Sequence, residues 1–348
     1  MAASDQLASL LIQEQDPEYR LHGAQSYLLV ASGSGEETYD GGDCGGINEV
    51  WRLKIAEWAF EVVDYFSLDR EAVAIALNFV DRFMVTYNRD NIQTPFTRER
   101  FQLLTVTALY LAIKLHGASF DATTTFAMPT LQVFVELSRN RFTGTEIEQM
   151  ERSILTQLQW KLNPPLTVNF VARLMKLLPS WQAEAGPDAC RCIRASLYEM
   201  SRYMAEISIC LSDFSLVLSP SVVAFAAILT SLSALEHHPS IANAYPPHDV
   251  LAEFINSIFA ATELTPTAED VNKACLLLVE VCPSALGQHL RRRRPSPRAV
   301  HQIALIGDER ESHSGGSRRV NSAREYAPSP TEILLAFEQD DEPTKGKR

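Results

Sequence analysis

The longest apolar stretches of this 348-residue chain are interrupted by Ser, Thr or charge well before the roughly 18 residues a membrane-spanning helix needs. The N-terminus, Met1-Ala-Ala-Ser-Asp-Gln, lacks the basic start and apolar run of a signal peptide. Cysteine is scarce. The six are Cys44, Cys190, Cys192, Cys210, Cys275 and Cys282. Cys190-Arg191-Cys192 is not a zinc spacing, and no His pair completes a site. Cys210, Cys275 and Cys282 fall in apolar helical sequence, where a reduced thiol acts as a small hydrophobe. A soluble, intracellular protein with free thiols is expected. There is no phosphate-binding Gly loop, no His–Glu metal helix and no nucleophile–base signature. The histidines, His116 among them, are scattered over expected loops and tails. No residues stand behind an enzyme reading, and no cofactor or metal is expected. Sustained strand alternation is missing too, which leaves an all-α class.

Positive charge is also short. The formal net charge is −12, which argues against nucleic acid as a partner. The sign is uneven: residues 1–284 carry 19 basic and 34 acidic groups, and residues 285–348 carry 12 and 9. An acidic body and a weakly basic tail point to separate roles. Apolar residues make up 46%, enough for a sizeable core in about two domains.

What is present is helical periodicity, from Asn48 to about Val281. Five helices are predicted first: Ile47–Tyr65; a second capped by Asp69 and running to about Tyr87; a third capped by Thr97 and running to Leu115; a short one from Pro129 to about Ser138; and a fifth opened by the capping box Thr143-Gly-Thr-Glu146 and ending before Pro164-Pro165. Ala108 and Ala112, one turn apart on the third, let a neighbouring backbone come close. The plan then repeats with Thr167–Leu178, Cys190–Leu211, Pro220–Glu236, Pro247–Thr262 and Thr265–Val281. Residues 1–47 read as an extension with one short helix, Gln6–Gln15, before a Gly- and Ser-rich approach. The two repeats span 48–164 and 165–284. Residues 285–348 read as a disordered basic, Ser-Pro tail.

Four short motifs fit this frame: Arg52 with Glu57-Trp58; Asp81-Arg82-Phe83; Ala112-Ile113-Lys114; and Met150-Glu151 followed by Leu155, Leu158, Trp160 and Leu162. In that order and spacing they resemble the cyclin box, over residues 50–162. Residues 167–281 resemble the second cyclin fold through their hydrophobic pattern. The resemblance implies two tandem five-helix folds and a cyclin-dependent protein kinase as partner. The missing Lys-Glu-Asn and destruction-box motifs lean towards a G1-type or divergent member.

The resemblance also implies roles. Lys114 and Glu151 would bind backbone groups around the kinase's regulatory C-helix; a Lys donates to carbonyls and a Glu accepts from N–H groups. By spacing alone they could equally be a helix-end cation and a solvated acid. Leu111, Leu115 and Leu162 would form a pocket for an apolar residue of that helix. By pattern alone they read as core. Arg52 and Asp81 would be a buried structural ion pair. Trp51, Ile55, Trp58 and Gln102 would form a patch that docks kinase substrates or inhibitors, although Lys54 sits where an aliphatic residue is usual.

In the tail, Arg291, Arg292, Arg293 and Arg294 are a candidate nuclear localisation signal. This points to nucleus and cytoplasm. Ser296 and Ser329, each before Pro, are candidate phosphorylation sites. Ile333–Phe337 is apolar enough to dock as a small helix. Two rivals stand beside the kinase-regulator reading: a cyclin-fold scaffold for transcription factors, and an α-helical enzyme. Lys114 and Glu151 discriminate against the first, and the missing polar site against the second.

Overall fold

The computed structural model describes residues 3–21, 28, 47–90, 96–117, 129–182, 186–236 and 244–281. All regular structure among them is helical. The arginine run, Ser296, Ser329, residues 333–337, Cys44 and Cys282 lie outside the described residues. The described residues form two units, one of residues 8–170 with 206–221, the other of 3–7, 171–205 and 222–281.

Helix α1 is Ala3–Gln15. Five helices build the first unit: α2 (Glu49–Tyr65), α3 (Glu71–Asp90), α4 (Arg98–His116), α5 (Leu131–Leu137) and α6 (Gly144–Gln157). The central rod is α4, packed against α2, α3, α5 and α6. Its sequence shows why: Phe101, Leu104, Val106, Ala108, Leu109, Leu111, Ala112 and Ile113 are all buried, so apolar residues cover nearly its whole circumference. Ala108 and Ala112 are fully buried, as close helix approach requires.

The ends obey local rules. Asn48 accepts from the Trp51 amide at 3.1 Å and opens α2. Thr97 caps α4, and Thr143 with Glu146 forms a reciprocal capping box on α6. Two of the ends are shifted from expectation. Helix α3 runs three residues past Tyr87, which stays buried against Phe83 and Phe96. Helix α5 begins at Leu131, since Thr130 takes the extended conformation of a cap. Asp69 caps α3 as expected, its carboxylate accepting from the Glu71 amide at 2.9 Å.

The second unit is built from α7 (Thr167–Leu174), α8 (Pro187–Ser208), α10 (Pro220–Glu236), α11 (His248–Thr262) and α12 (Glu269–Glu280). A short α9, Ser212–Ser215, was not anticipated; it belongs to the first unit. Helix α8 starts three residues before the expected Cys190: Pro187 is a first-turn residue here, after Gly186 at φ +89°. Helix α10 fills the middle, with Val222 through Ile228 buried on every side. Cys190, Cys192, Cys210 and Cys275 are free thiols.

One anchor of the first unit was invisible in the sequence. Glu14, 3% exposed, accepts from the Ser221 amide and hydroxyl, both at 2.7 Å. Burial raises its pKa, against the pull of both hydrogen bonds. For an acid shifted upward, the stabilising contribution is complete below the ordinary carboxylate range and is lost as pH rises through the raised value. Glu14→Ala is expected to cost about 1–3 kcal/mol at pH 7 by orphaning Ser221. Glu14→Gln, which keeps an acceptor for the amide and offers a donor to the hydroxyl, should be near neutral and flatten the pH dependence. Urea melts between pH 4 and 8 decide it; equal losses for both variants would contradict this account.

Candidate functional site

The last turn of α4 and the middle of α6 place two charges side by side. Lys114 Nζ donates to Glu151 Oε1 at 2.8 Å. The Lys side chain is 49% exposed and the Glu side chain 13%, so the pair lies at the surface with its carboxylate half recessed. Nζ also sits 5.5 Å above the Tyr110 ring, one helical turn back. Tyr110 in turn leans edge-on against buried Phe134 of α5. The hydrogen bond from Lys114 to Glu151 raises the lysine's pKa, opposed by partial desolvation and helped by the Glu151 and Glu148 charges. The lysine is therefore charged at neutral pH, and its side of the pair is lost as pH rises through that raised value.

Beside the pair, Leu115 is 43% exposed. Leu162 is half-buried and packs on the core edge; its carbonyl bonds His116 Nε2 at 3.1 Å. Leu111, expected to face a partner, is 1% exposed and belongs to the core. It lies on the side of α4 that its neighbouring helices cover.

Sequence reasoning missed Trp160 as a surface residue. Helix α6 ends in two consecutive left-handed residues, Gln159 (φ +50°) and Trp160 (φ +62°). The Trp160 amide closes the end on Leu155 O at 3.0 Å. This turn throws the indole outward, 70% exposed. The available signal was an aromatic just past a helix end and just before Pro164-Pro165. Two non-glycine residues at positive φ are costly, and such a turn persists only where its surroundings over-determine it.

Arg52 of α2 and Asp81 of α3 are each 1% exposed. They pair through two bonds, Nε to Oδ1 at 3.2 Å and Nη2 to Oδ2 at 2.7 Å. The guanidinium also donates to Ile209 O at 2.8 Å and Ser215 Oγ at 2.9 Å. One cation thus ties three segments of the first unit. A second arginine, Arg70, was not anticipated. It grips Asp64 at 2.9 and 2.8 Å and Glu206 at 3.0 Å, and those two acids raise its pKa despite burial.

The expected docking patch needs correction. Trp51, Ile55 and Trp58 are 8%, 4% and 1% exposed, all in the core, and Gln102 is half-buried. Helix α2 is packed on more than one side, so residues placed on its outer stripe turn inward. Arg98 covers what remains of Trp51, its guanidinium 5.1 Å from the ring. No group of acidic, His or Cys side chains fit for a metal occurs among the described residues. No described helix is long and apolar enough to cross a membrane.

Known proteins resemble this chain in sequence over the first unit and beyond it. Residues 36–163 match the family model "Cyclin, N-terminal domain". The chain is 28% identical over 193 residues to Cyclin-B1-1 of Arabidopsis thaliana, covering 56% of this chain and 39% of that protein. It is 29% identical over 186 residues to the G2/mitotic-specific cyclin-B of Arbacia punctulata, covering 53% and 38%. A solved viral cyclin from herpesvirus saimiri is 18% identical, with 66% of this chain and 88% of that chain covered and a TM-score of 0.41. Residues 36–163 are thus similar to the N-terminal domain of cyclins, and the likeness to cyclin sequences extends over somewhat more than half of the chain. The matched stretch spans about two fifths of these curated relatives. Both are B-type, whereas the missing destruction motif leaned towards the G1 type.

Proposed function

We propose that this chain is the regulatory subunit of a cyclin-dependent Ser/Thr protein kinase, itself without catalytic activity, and that it activates its partner allosterically in control of the cell cycle. One observation carries the reading. Lys114 and Glu151, on separate helices, meet at the surface, next to the exposed side chain of Leu115 and to His116, which holds the Leu162 carbonyl. A donor for carbonyls and an acceptor for amides, set beside apolar surface, suit the main chain and one apolar side chain of a helix end. On the partner, the resemblance to cyclins points to the regulatory C-helix, whose inward position completes the kinase's own Lys–Glu pair. Activation requires this chain to bind that inward state more tightly than the outward one. Steering a helix needs a broad interface, on the order of 1,200 Å² or more.

A pull-down followed by a kinase assay tests this. Wild type should recover an active kinase, and Lys114→Ala/Glu151→Ala should recover little of it while folding normally, since an exposed pair contributes no more than about 1 kcal/mol to stability. Equal recovery and equal activity from both proteins would end the proposal and favour a scaffold that grips its partners elsewhere.

A further inference from the structure

The segment 158–163, which presents Trp160 and Leu162, is held from two sides. On one side is Arg82 of α3. Its guanidinium donates to Lys161 O at 2.8 Å and to Leu158 O at 3.5 Å. Arg82 is 5% exposed, and its Nε finds no acceptor among the described residues. Desolvation has pushed its pKa down to about 10; the charges opposing that shift are Tyr19, Glu18 and Asp16. On the other side is the end of α1 and the turn after it. Gln13 Nε2 donates to Asn163 O at 2.6 Å. Asp16 Oδ2 accepts from Lys161 Nζ at 2.5 Å. The Tyr19 ring lies under both cations, 4.8 Å from the Arg82 guanidinium and 5.7 Å from Lys161 Nζ. Residues 13–19 thus close over a buried cation that carries no acid of its own helix, and they clasp the chain at 161 and 163.

We propose that Gln13, Asp16 and Tyr19 form a strap that fixes segment 158–163, and that through it they set the affinity of the face at Lys114, Glu151 and Leu115, to which the segment is joined by the bond between His116 and the Leu162 carbonyl. This rests on the reading of that face as partner-binding surface. The three are positioning residues: none needs to touch the partner. The physical need is plain. Gln159 and Trp160 occupy left-handed backbone that relaxes once its surroundings let go. A surface held in one place loses less freedom on binding than one that wanders. Tyr19 contributes through its ring, which faces cations and covers them from water. Asp16 supplies a formal negative charge bonded to Lys161.

The test uses the full chain with Tyr19→Ala, Tyr19→Phe and Gln13→Ala/Asp16→Ala, read by hydrogen–deuterium exchange in the free protein and by affinity for the captured kinase. Exchange over residues 156–164 should quicken about tenfold in Tyr19→Ala and in the double variant. Tyr19→Phe, which keeps the ring, should match wild type. Kinase affinity should fall about 3- to 30-fold in the same two variants and be normal in Tyr19→Phe, with overall melting little changed. Unaltered exchange in Tyr19→Ala overturns the strap. Faster exchange with unaltered affinity overturns its hold on the partner face. A wild-type chain that captures no kinase overturns the partner reading and the affinity claim together, while the exchange result judges the strap by itself.

Discussion

Asp81→Ala should destabilise the first unit by about 3–5 kcal/mol, enough to remove much of the roughly 5–15 kcal/mol that holds an ordinary domain together. The loss does not come from deleting a favourable contact. A buried ion pair is close to neutral in net stability, because the cost of desolvating both charges offsets their attraction. It comes from what is left: the Arg52 guanidinium, 1% exposed, keeps the Ile209 carbonyl and the Ser215 hydroxyl but loses both bonds to its carboxylate. The contrast that isolates this cause is Arg52→Met/Asp81→Leu, which removes both charges and fills the space. It should regain most of the stability lost in either single variant. Urea unfolding followed by circular dichroism gives the numbers. An Asp81→Ala protein within about 1 kcal/mol of wild type, or a double variant as weak as the single ones, would show that the charges are not what binds α2, α3 and the 209–215 segment together. Partner binding should fall in Asp81→Ala only as far as the folded fraction falls.

How much of this was legible in the residues depends on the range of the interaction. Caps are local: Thr97, and Thr143 with Glu146, could be read directly, because both partners of each bond lie within three residues. The start of α10 was legible too, since Pro220 opens it and residues 222–229 are apolar throughout. The burial of Trp51, Ile55 and Trp58 was not. A stripe on a helix says that one side is apolar, but only tertiary packing decides how many sides are covered. Leu111 is the reverse case: its pattern alone reads as core, as the structure has it, and only the resemblance turned it towards a partner. Lys114 and Glu151 are 37 positions apart, and nothing in their spacing demands that they meet; family resemblance supplied that pair, and the crossing of α4 and α6 brings it together. The strap is the extreme case. Gln13 reaches Asn163 across 150 residues and Asp16 reaches Lys161 across 145, so a short N-terminal helix reads as an appendage until its contacts are seen.

Exchanging the two charges, Lys114→Glu/Glu151→Lys, should leave the fold intact and abolish the partner. The pair still has one cation and one anion on facing turns, so the intramolecular bridge re-forms, and the melting midpoint should correspond to a change of no more than about 1 kcal/mol for an exposed pair. The partner sees the opposite chemistry. Where a cation offered donors to main-chain carbonyls there is now an acceptor, and where a carboxylate received main-chain amides there is now a donor. Each charged hydrogen bond to a neutral group contributes about 1.5–3 kcal/mol, so losing both predicts about 3–6 kcal/mol, or roughly 100-fold to 10,000-fold in affinity. Alanine at both sites removes the bonds; the exchange adds repulsion between like partial charges and should be the weaker binder of the two. Titration of each purified variant against the kinase that wild type captures, with melts run alongside, gives the ordering. If the exchanged chain binds as well as wild type, Lys114 and Glu151 serve only each other, and the grip on a partner must come from elsewhere on the molecule.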